Sequence, residues 1–308
     1  MPATIIALAN QKGGVGKTTT AINLAAGLAE RRQKVLLVDM DPQTNATNGV
    51  GAQASERGSI YDVLRGDATL TDTLVKTAFP RLDLIPSEVD LAGAEVEIAR
   101  GERHLYRLRD ALRPFAADSQ YDFIMVDCPP SLGILTINAL VAVDSVLIPL
   151  QCEYYALEGL SMINRLILQL RQNGANPALE MEGIVLTMFD TRTNLSTQVV
   201  NEVRKHFGEK VFQTVIPRTV RLSEAPSHGL PVLQYDTLST GAAAYRALSK
   251  EFLRRRSPLR QLAAVVFGVT PTPVAAEDAA ATAPISADIS HAAVEADRPP
   301  EESSRESR

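Results

Sequence analysis

The residues of this chain most suited to chemistry lie in one short segment, Lys12-Gly13-Gly14-Val15-Gly16-Lys17-Thr18-Thr19. Glycines allow backbone N–H groups to turn inward onto phosphate oxygens, and a helix N-terminus that follows them adds partial positive charge. Lys17 supplies a full positive charge, and the Thr18 hydroxyl can serve the magnesium ion that accompanies a nucleotide. The segment therefore predicts a phosphate-binding loop.

This loop departs from the common pattern at one position. That pattern places a glycine five residues before Gly16, whereas this chain has Gln11 there and a second lysine, Lys12, directly after it. The alternative is a glycine-rich strand–helix turn that binds no ligand. We favour the phosphate site, because the glycines, Lys17 and the threonines coincide between an apolar run and a helical pattern.

Acidic residues end two other apolar runs. The run over 34–39 ends at Asp39 and is followed closely by Asp41, and the run over 121–127 ends at Asp127. Buried parallel strands that end in acids beside a phosphate loop collect carboxylates around magnesium. A helix cap or a surface charge is the alternative for each carboxylate.

Apolar runs and helical patterns alternate along most of the chain. We predict strands over 4–9, 34–39, 82–86, 121–127, 145–150, 183–188 and 211–216. We predict helices over 20–31, 59–64, 157–172, 195–207 and 242–256, with one or two more within 88–113. This alternation is typical of an α/β fold with a doubly wound, mostly parallel sheet and helices on both faces.

The composition predicts one large domain over 1–257 and a different segment over 258–308. The latter is rich in alanine, proline, serine and glutamate and carries a net charge of −4, so we expect a disordered acidic tail. Apolar residues at helical spacing also allow a short amphipathic helix over 259–268. Residues 189–257 carry a net charge of +5 within a protein of net charge −5, which is compatible with binding a polyanion.

Bulk properties favour a cytoplasmic protein. No apolar run approaches the roughly 20 residues of a membrane span, and no signal peptide precedes the first predicted strand. The chain has two cysteines, Cys128 and Cys152, which we interpret as reduced, buried thiols in a reducing compartment.

Several motifs together resemble the deviant Walker A ATPases of the ParA/MinD group, and within that group the Soj-type ParA partition ATPases. The similarity covers most of residues 3–256, including a segment over 10–19, Asp39-Met40-Asp41-Pro42-Gln43 and Asp127-Cys128-Pro129-Pro130-Ser131. The segments over 151–159, 215–218 and 223–227 belong to it as well. The resemblance implies the P-loop NTPase fold, with ATP and Mg²⁺ as cofactors and ATP hydrolysis as the reaction.

The resemblance also implies roles for individual residues. Lys12 reaches across an ATP-dependent homodimer to the phosphates of the other protomer, and Lys17 holds phosphate within its own protomer. Thr18 and Asp127 serve magnesium, with Asp39 behind them, and Asp41 orients the attacking water. The implied nucleotide-binding set is Lys12, Gly13, Gly14, Val15, Gly16, Lys17, Thr18, Thr19, Pro217 and Thr219.

Three positions depart from the family's usual residues, and one of them, Leu230, stands where the family usually has lysine. Thr219 stands where the family usually has asparagine in its adenine-contacting loop, and a hydroxyl cannot offer both an amide donor and a carbonyl acceptor. Thr44 replaces a usual glycine.

The family's DNA-contacting arginines match Arg192 and Arg221, with Arg218 close by. We expect the ATP-bound dimer to bind double-stranded DNA without sequence preference, because arginine–phosphate contacts do not read bases. A ParB-type centromere-binding protein is the expected partner, which stimulates slow hydrolysis and releases the dimer from the nucleoid. Surface salt bridges are the alternative for these arginines.

Three other functions remain open from the sequence. A MinD-like membrane-associated positioning ATPase shares the same catalytic residues, although membrane binding is not our expectation here. A ParA-like ATPase that positions a cargo other than DNA would also share them. An electron carrier resembling the nitrogenase iron protein would need cysteines that bridge an iron–sulfur cluster at the dimer face.

Overall fold

Parallel strands with one antiparallel edge strand form the centre of the molecule. The computed structural model describes residues 2–53, 58–99, 101, 103–153 and 156–256. Within them, one sheet has the strand order β3-β4-β2-β5-β1-β6-β7, and β3 alone runs antiparallel to its neighbour. The strands are β1 Thr4–Leu8, β2 Val35–Asp39, β3 Val75–Lys76, β4 Leu82–Ile85, β5 Phe123–Asp127, β6 Ser145–Gln151 and β7 Glu180–Thr187.

The helices lie between the strands in the chain and cover both faces of the sheet. They are α1 Lys17–Glu30, α2 Asn45–Gly49, α3 Ile60–Arg65, α4 Leu91–Ala99, α5 Arg107–Asp118, α6 Ile134–Ala142, α7 Ala156–Gln172, α8 Asn194–Phe207, α9 Val220–Glu224, α10 Val232–Tyr235 and α11 Thr240–Arg255. Short 3₁₀ turns over Gly208–Lys210 and Ala225–His228 complete the described elements. The predicted doubly wound, mostly parallel fold is confirmed.

Alternation along the strands divides the apolar core in two. In β1, Ile5 and Ala7 belong to a buried cluster on one face, whereas Ile6 and Leu8 belong to a cluster on the other. Both faces are covered, so a strand can be apolar at every position, as the continuous runs in the sequence predict. Helices α1 and α11 pack closely on the second face, and a Cβ atom at Gly27 would lie 3.0 Å from the Ser249 side chain.

The predicted strand over 211–216 is wrong. This segment runs beside β7 and makes only isolated bridges there, between Ile184 and Val211 and between Phe189 and Pro217. The N–H groups of Gln213 and Thr214, which lie between the bridges, donate to the Glu251 carboxylate of α11, each at 2.8 Å. A ladder cannot form where a side chain from a helix takes these backbone donors.

The described residues belong to one compact unit, Met1–Arg260. The predicted tail over 258–308 and the amphipathic helix over 259–268 lie outside the described residues. Both described cysteines are buried and free of disulfides, and burial raises the pKa of the Cys152 thiol to about 12. Burial also raises the pKa of the Cys128 thiol, with a contribution from Asp127.

Candidate nucleotide-binding site

The glycine-rich segment forms a turn between β1 and α1. Gly14 and Gly16 adopt left-handed conformations, with φ of 73° and 84°, which other residues rarely adopt without strain. Helix α1 begins at Lys17, and the first helical backbone bond runs from Thr20 N–H to the Gly16 carbonyl at 2.9 Å. The preceding amides of α1 therefore have no intrahelical acceptor, which is the arrangement that receives anions at a helix N-terminus.

Lys17 is buried at the base of this turn, with 6% of its surface exposed. Its ammonium donates to the Lys12 carbonyl at 3.2 Å. Burial lowers the pKa of Lys17, and the negative charges of Asp127 and Asp41 oppose that shift. The side chain therefore brings a positive charge to the same place as two of the predicted carboxylates.

Asp39 and Asp127 are brought side by side by the sheet. They are paired residues on β2 and β5, at the carboxyl ends of the two strands, and both are fully buried. The N–H and the hydroxyl of Thr47 donate to Asp39 Oδ2 at 2.8 and 2.7 Å, and Asp41 N–H donates to Asp39 Oδ1 at 3.1 Å. Burial nonetheless raises the pKa of Asp39 to about 6.

Asp127 differs from Asp39 because it lacks such donors. Both of its carboxylate oxygens are buried without a hydrogen bond within normal distance among the described residues. Burial raises its pKa well above the ordinary value, and Asp39 adds to the shift, whereas the nearby Thr18 hydroxyl and Lys17 oppose it. A buried carboxylate left without a partner is costly, so the site has the polarity that a cation would satisfy.

Magnesium fits this donor set better than a metal held by protein alone. Among the described residues, no group of three or more histidine, cysteine, aspartate or glutamate side chains could hold a metal. Mg²⁺ commonly takes one or two carboxylates and completes its shell with phosphate oxygens and water. Asp127 and the Thr18 hydroxyl are the side chains that would hold it here.

Asp41 lies beyond the end of β2, 5% exposed, in the turn that leads to α2. Its Oδ1 accepts the N–H of Gln43 at 3.0 Å, and its carbonyl accepts the N–H of Thr44 at 2.9 Å. Thr44 has a left-handed φ of 57°, which explains why glycine suits this position. The turn fixes the Asp41 backbone beside the phosphate loop.

The Lys12 side chain forms an ion pair within its own chain. Its ammonium lies 2.7 Å from Glu153 Oε2, just beyond the carboxyl end of β6. The predicted reach of Lys12 across a dimer therefore involves a different position of this side chain.

The contacts that hold the loop in place come partly from residues that the sequence analysis missed. The Thr187 hydroxyl, at the end of β7, donates to the Val15 carbonyl at 2.8 Å. Thr47, which donates to Asp39, is a second residue that the sequence analysis missed, and it lies in a segment without hydrophobic periodicity. Thr187 ends an apolar run and belongs to no motif. No local signal could have identified either residue.

Pro217 and Thr219 lie in the loop that follows the irregular segment beside β7. Pro217 makes the isolated bridge with Phe189, and the Thr219 hydroxyl caps helix α9 by accepting the Leu222 N–H at 3.3 Å. Their contact with adenine stays a prediction.

The three predicted DNA-binding arginines are exposed: Arg192 and Arg218 lie on loops, and Arg221 lies in the short helix α9. Arg192, whose side chain is 85% exposed, lies 2.6 Å from Asp190, and Arg221 lies 2.9 Å from Glu224. Arg192 and Arg218 together hold the pKa of Asp190 well below its usual range, with the Arg192 hydrogen bonds as the main cause. The loops therefore bring Arg192 and Arg218 together around one carboxylate.

Known proteins match this chain over most of its length. A family model described as an AAA domain matches residues 3–181. The chain is 55% identical over 263 residues to the chromosome partitioning protein ParA of Myxococcus xanthus, covering 84% of this chain and 92% of that protein. It is 54% identical over 248 residues to the sporulation initiation inhibitor protein Soj of Bacillus subtilis, covering 80% and 97%.

A solved structure shares both the fold and part of the sequence. Cobyrinic acid a,c-diamide synthase from Mycobacterium smegmatis, with bound ATP analogue and magnesium, is 37% identical with a TM-score of 0.72. The match covers 84% of this chain and 97% of that one.

Proposed function

The chain belongs to the ParA/Soj family of chromosome-partitioning ATPases, as its motifs predict, and we propose that it hydrolyses ATP as a nucleotide-dependent homodimer. The dimer binds double-stranded DNA without sequence preference. A ParB-type centromere-binding partner stimulates the slow hydrolysis and releases the dimer, which moves or positions DNA cargo on the nucleoid.

The nucleotide part of this proposal rests chiefly on Asp127. Its carboxylate is buried and has no hydrogen-bond donor within normal distance among the described residues, yet it lies beside Thr18 and Lys17 at the start of α1. Such a site costs free energy when it is empty of cations and gains it when a cation binds. The similar M. smegmatis protein, with its bound ATP analogue and magnesium, supports the same ligands here.

The metal and the other residues of the site have separate roles in binding and hydrolysing ATP. Mg²⁺ supplies charge neutralisation at the phosphates when bound. Lys17 and the amides at the start of α1 bind phosphate oxygens, and Thr18 and Asp127 hold the metal. Asp41 orients the attacking water, and Asp39 positions Asp41 by accepting its N–H at 3.1 Å.

The dimer is proposed from Lys12. An ammonium that one protomer supplies to the phosphates of the other resembles an arginine finger. Arginine fingers raise the rate of hydrolysis by a factor on the order of 10³–10⁵. This charge makes hydrolysis depend on pairing.

The DNA surface is proposed from Arg192, Arg218 and Arg221. All three follow β7 in the chain, Arg192 and Arg218 on loops and Arg221 in helix α9. None of the helices in the described part of the chain is long and apolar enough to cross a membrane.

Asp41→Ala tests the proposal. With ATP and Mg²⁺, we expect the variant to dimerise and bind non-specific DNA like the wild type, but to hydrolyse ATP about a hundredfold more slowly, because the water is no longer oriented. Light scattering, DNA gel shift and phosphate release measure the three properties. The matched control is Asp118→Ala, an exposed aspartate at the end of α5.

Two results would contradict the proposal. One is dimerisation or DNA binding by the wild type that does not depend on ATP. The other is ATP-dependent sedimentation with anionic liposomes without DNA binding, which would favour the MinD-like function.

A further inference from the structure

We propose that Glu153 acts as an intrachain latch on Lys12, which must release before the lysine can serve the nucleotide of a second copy of the chain. The inference rests on the proposed function, because it concerns the regulation of the same phosphate site. It assigns a positioning role to a residue outside the loop.

The latch is a direct ion pair. Lys12 Nζ lies 2.7 Å from Glu153 Oε2, and the two side chains are 41% and 45% exposed. Glu153 is in turn fixed from the other side, because its Oε1 accepts a short hydrogen bond from the Gln151 side chain at the end of β6. One carboxylate thus connects the ammonium of a loop lysine to a residue at the end of β6.

The rest of the loop does not depend on this ion pair. Lys12 N–H donates to Asn10 Oδ1 at 3.1 Å, and the Asn10 amide donates to the Pro149 carbonyl at 2.8 Å. The Val15 carbonyl is held by Thr187. These contacts use backbone and uncharged groups, so the Lys12 side chain can leave Glu153 while the loop stays in place.

The two destinations of Lys12 exclude each other. One ammonium cannot remain 2.7 Å from Glu153 and also bind phosphates across an interface. A triphosphate carries several negative charges and can displace a single half-exposed carboxylate, since exposed ion pairs are weak. Glu153 therefore competes with pairing and raises the concentration of nucleotide that pairing requires.

Glu153→Gln tests the latch, because glutamine keeps the shape and the acceptor for Gln151 but removes the charge. We expect half-maximal dimerisation to need about two- to fivefold less of the non-hydrolysable analogue AMPPNP, as for the loss of an exposed ion pair. Light scattering at fixed protein and Mg²⁺ concentrations measures it. The difference should shrink in 0.5 M salt, because salt screens exposed charges.

Two further variants make the result specific. Glu202→Gln removes a similarly exposed glutamate, which is paired with His206 on α8, and should leave the AMPPNP requirement unchanged. In a Lys12→Ala background, Glu153→Gln should have no effect on whatever pairing remains. Glu153→Ala serves as a second variant and should lower the AMPPNP requirement as Glu153→Gln does.

The outcomes separate the latch from the proposed function. An unchanged or higher AMPPNP requirement in Glu153→Gln, or an equal effect with and without Lys12, overturns the latch. Normal pairing and partner-stimulated hydrolysis by Lys12→Ala would instead overturn the proposed role of Lys12 in trans.

Discussion

Two groups of charged residues in this molecule are built in opposite ways. The phosphate site, formed by Lys17, Asp39 and Asp127 at the carboxyl ends of the central strands, is buried within the fold. The arginine surface, formed by Arg192, Arg218 and Arg221, lies on exposed loops and on the short helix α9, where Arg192 and Arg221 form ion pairs with neighbouring carboxylates. The first site holds its charged side chains in buried positions. The charged side chains of the second are exposed to water.

The difference follows from the cost of removing charge from water. In the phosphate site, burial raises the pKa of both carboxylates and lowers that of Lys17. Burial therefore disfavours the charged form of each group and lowers the stability of the folded protein when the groups are charged. On the arginine surface, charges stay hydrated and their local ion pairs contribute little to stability. A buried site therefore holds its charges in fixed positions, while an exposed ion pair can give way to another anion at little cost.

Lys17→Ala should give the largest effect, because it removes the buried positive charge of the phosphate site. We expect ATP affinity to fall by about a hundredfold, as for the loss of a charge-assisted hydrogen bond in a buried site. Titration with a fluorescent ATP analogue measures it. Lys34→Ala, which removes a lysine bound to Gln120 before β5, is the control and should bind ATP normally. Equal affinity in both variants would show that the buried charge is not organised for phosphate.

The pH dependence of stability tests the cost of burial directly. The ordinary pKa of Asp39 is 3.8 and burial raises it to about 6, so the folded protein holds this proton more tightly than the unfolded chain. The resulting stability is fully present below pH 3.8 and is lost as the pH rises through 6, by at most about 3 kcal/mol. Burial of Asp127 acts in the same direction.

Thermal unfolding without nucleotide or magnesium should therefore show a melting temperature several degrees higher at pH 5 than at pH 7, at about 2–4 °C per kcal/mol. Asp39→Asn should reduce this dependence without abolishing it, because the raised pKa of Asp127 contributes in the same direction, and ATP with Mg²⁺ should also reduce it. A melting temperature that rises between pH 5 and pH 7 would contradict the assigned direction of the Asp39 shift.

Arg192→Ala should give a smaller effect than the changes in the phosphate site, and only DNA binding should change. If each of the three arginines neutralises one phosphate, a dimer makes about six contacts and log affinity falls with log salt at a slope near −5. Loss of Arg192 from both protomers should make the slope shallower by about 2, while ATP binding stays normal. DNA-binding titrations across a range of NaCl concentrations measure the slope.

Asp190→Asn should have the opposite effect on DNA binding. It removes the carboxylate that holds Arg192 at 2.6 Å, so the arginine no longer has to exchange one anion for another. DNA should bind a few-fold more tightly at low salt, and less so when salt screens the surface. An unchanged slope in Arg192→Ala together with unchanged affinity in Asp190→Asn would remove Arg192 from the DNA surface.

Much of the fold was predictable because its signals are local. Continuous apolar runs mark strands covered on both faces, and the predicted strand over 145–150 is observed as Ser145–Gln151. The short helix predicted over 59–64 begins at Ile60, because Ser59 and Asp62 form a capping box. The segment over 211–216 also looked like a strand, with apolar residues on both sides of Gln213 and Thr214, but Glu251 from α11 takes the backbone donors of these two residues, and the sequence gives no sign of that contact.

The amino-acid sequence alone determined the phosphate loop, the acids that end β2 and β5, and the parallel sheet that brings them together. Glycine conformations and apolar strands are properties of adjacent residues, so their pattern can be read directly. Tertiary structure alone decided that Thr47 stabilises Asp39, that no donor in the described part of the chain lies within normal hydrogen-bond distance of Asp127, and that Lys12 meets Glu153. These choices depend on which donors and acceptors meet after distant segments pack, and burial then sets the free energy of each charge.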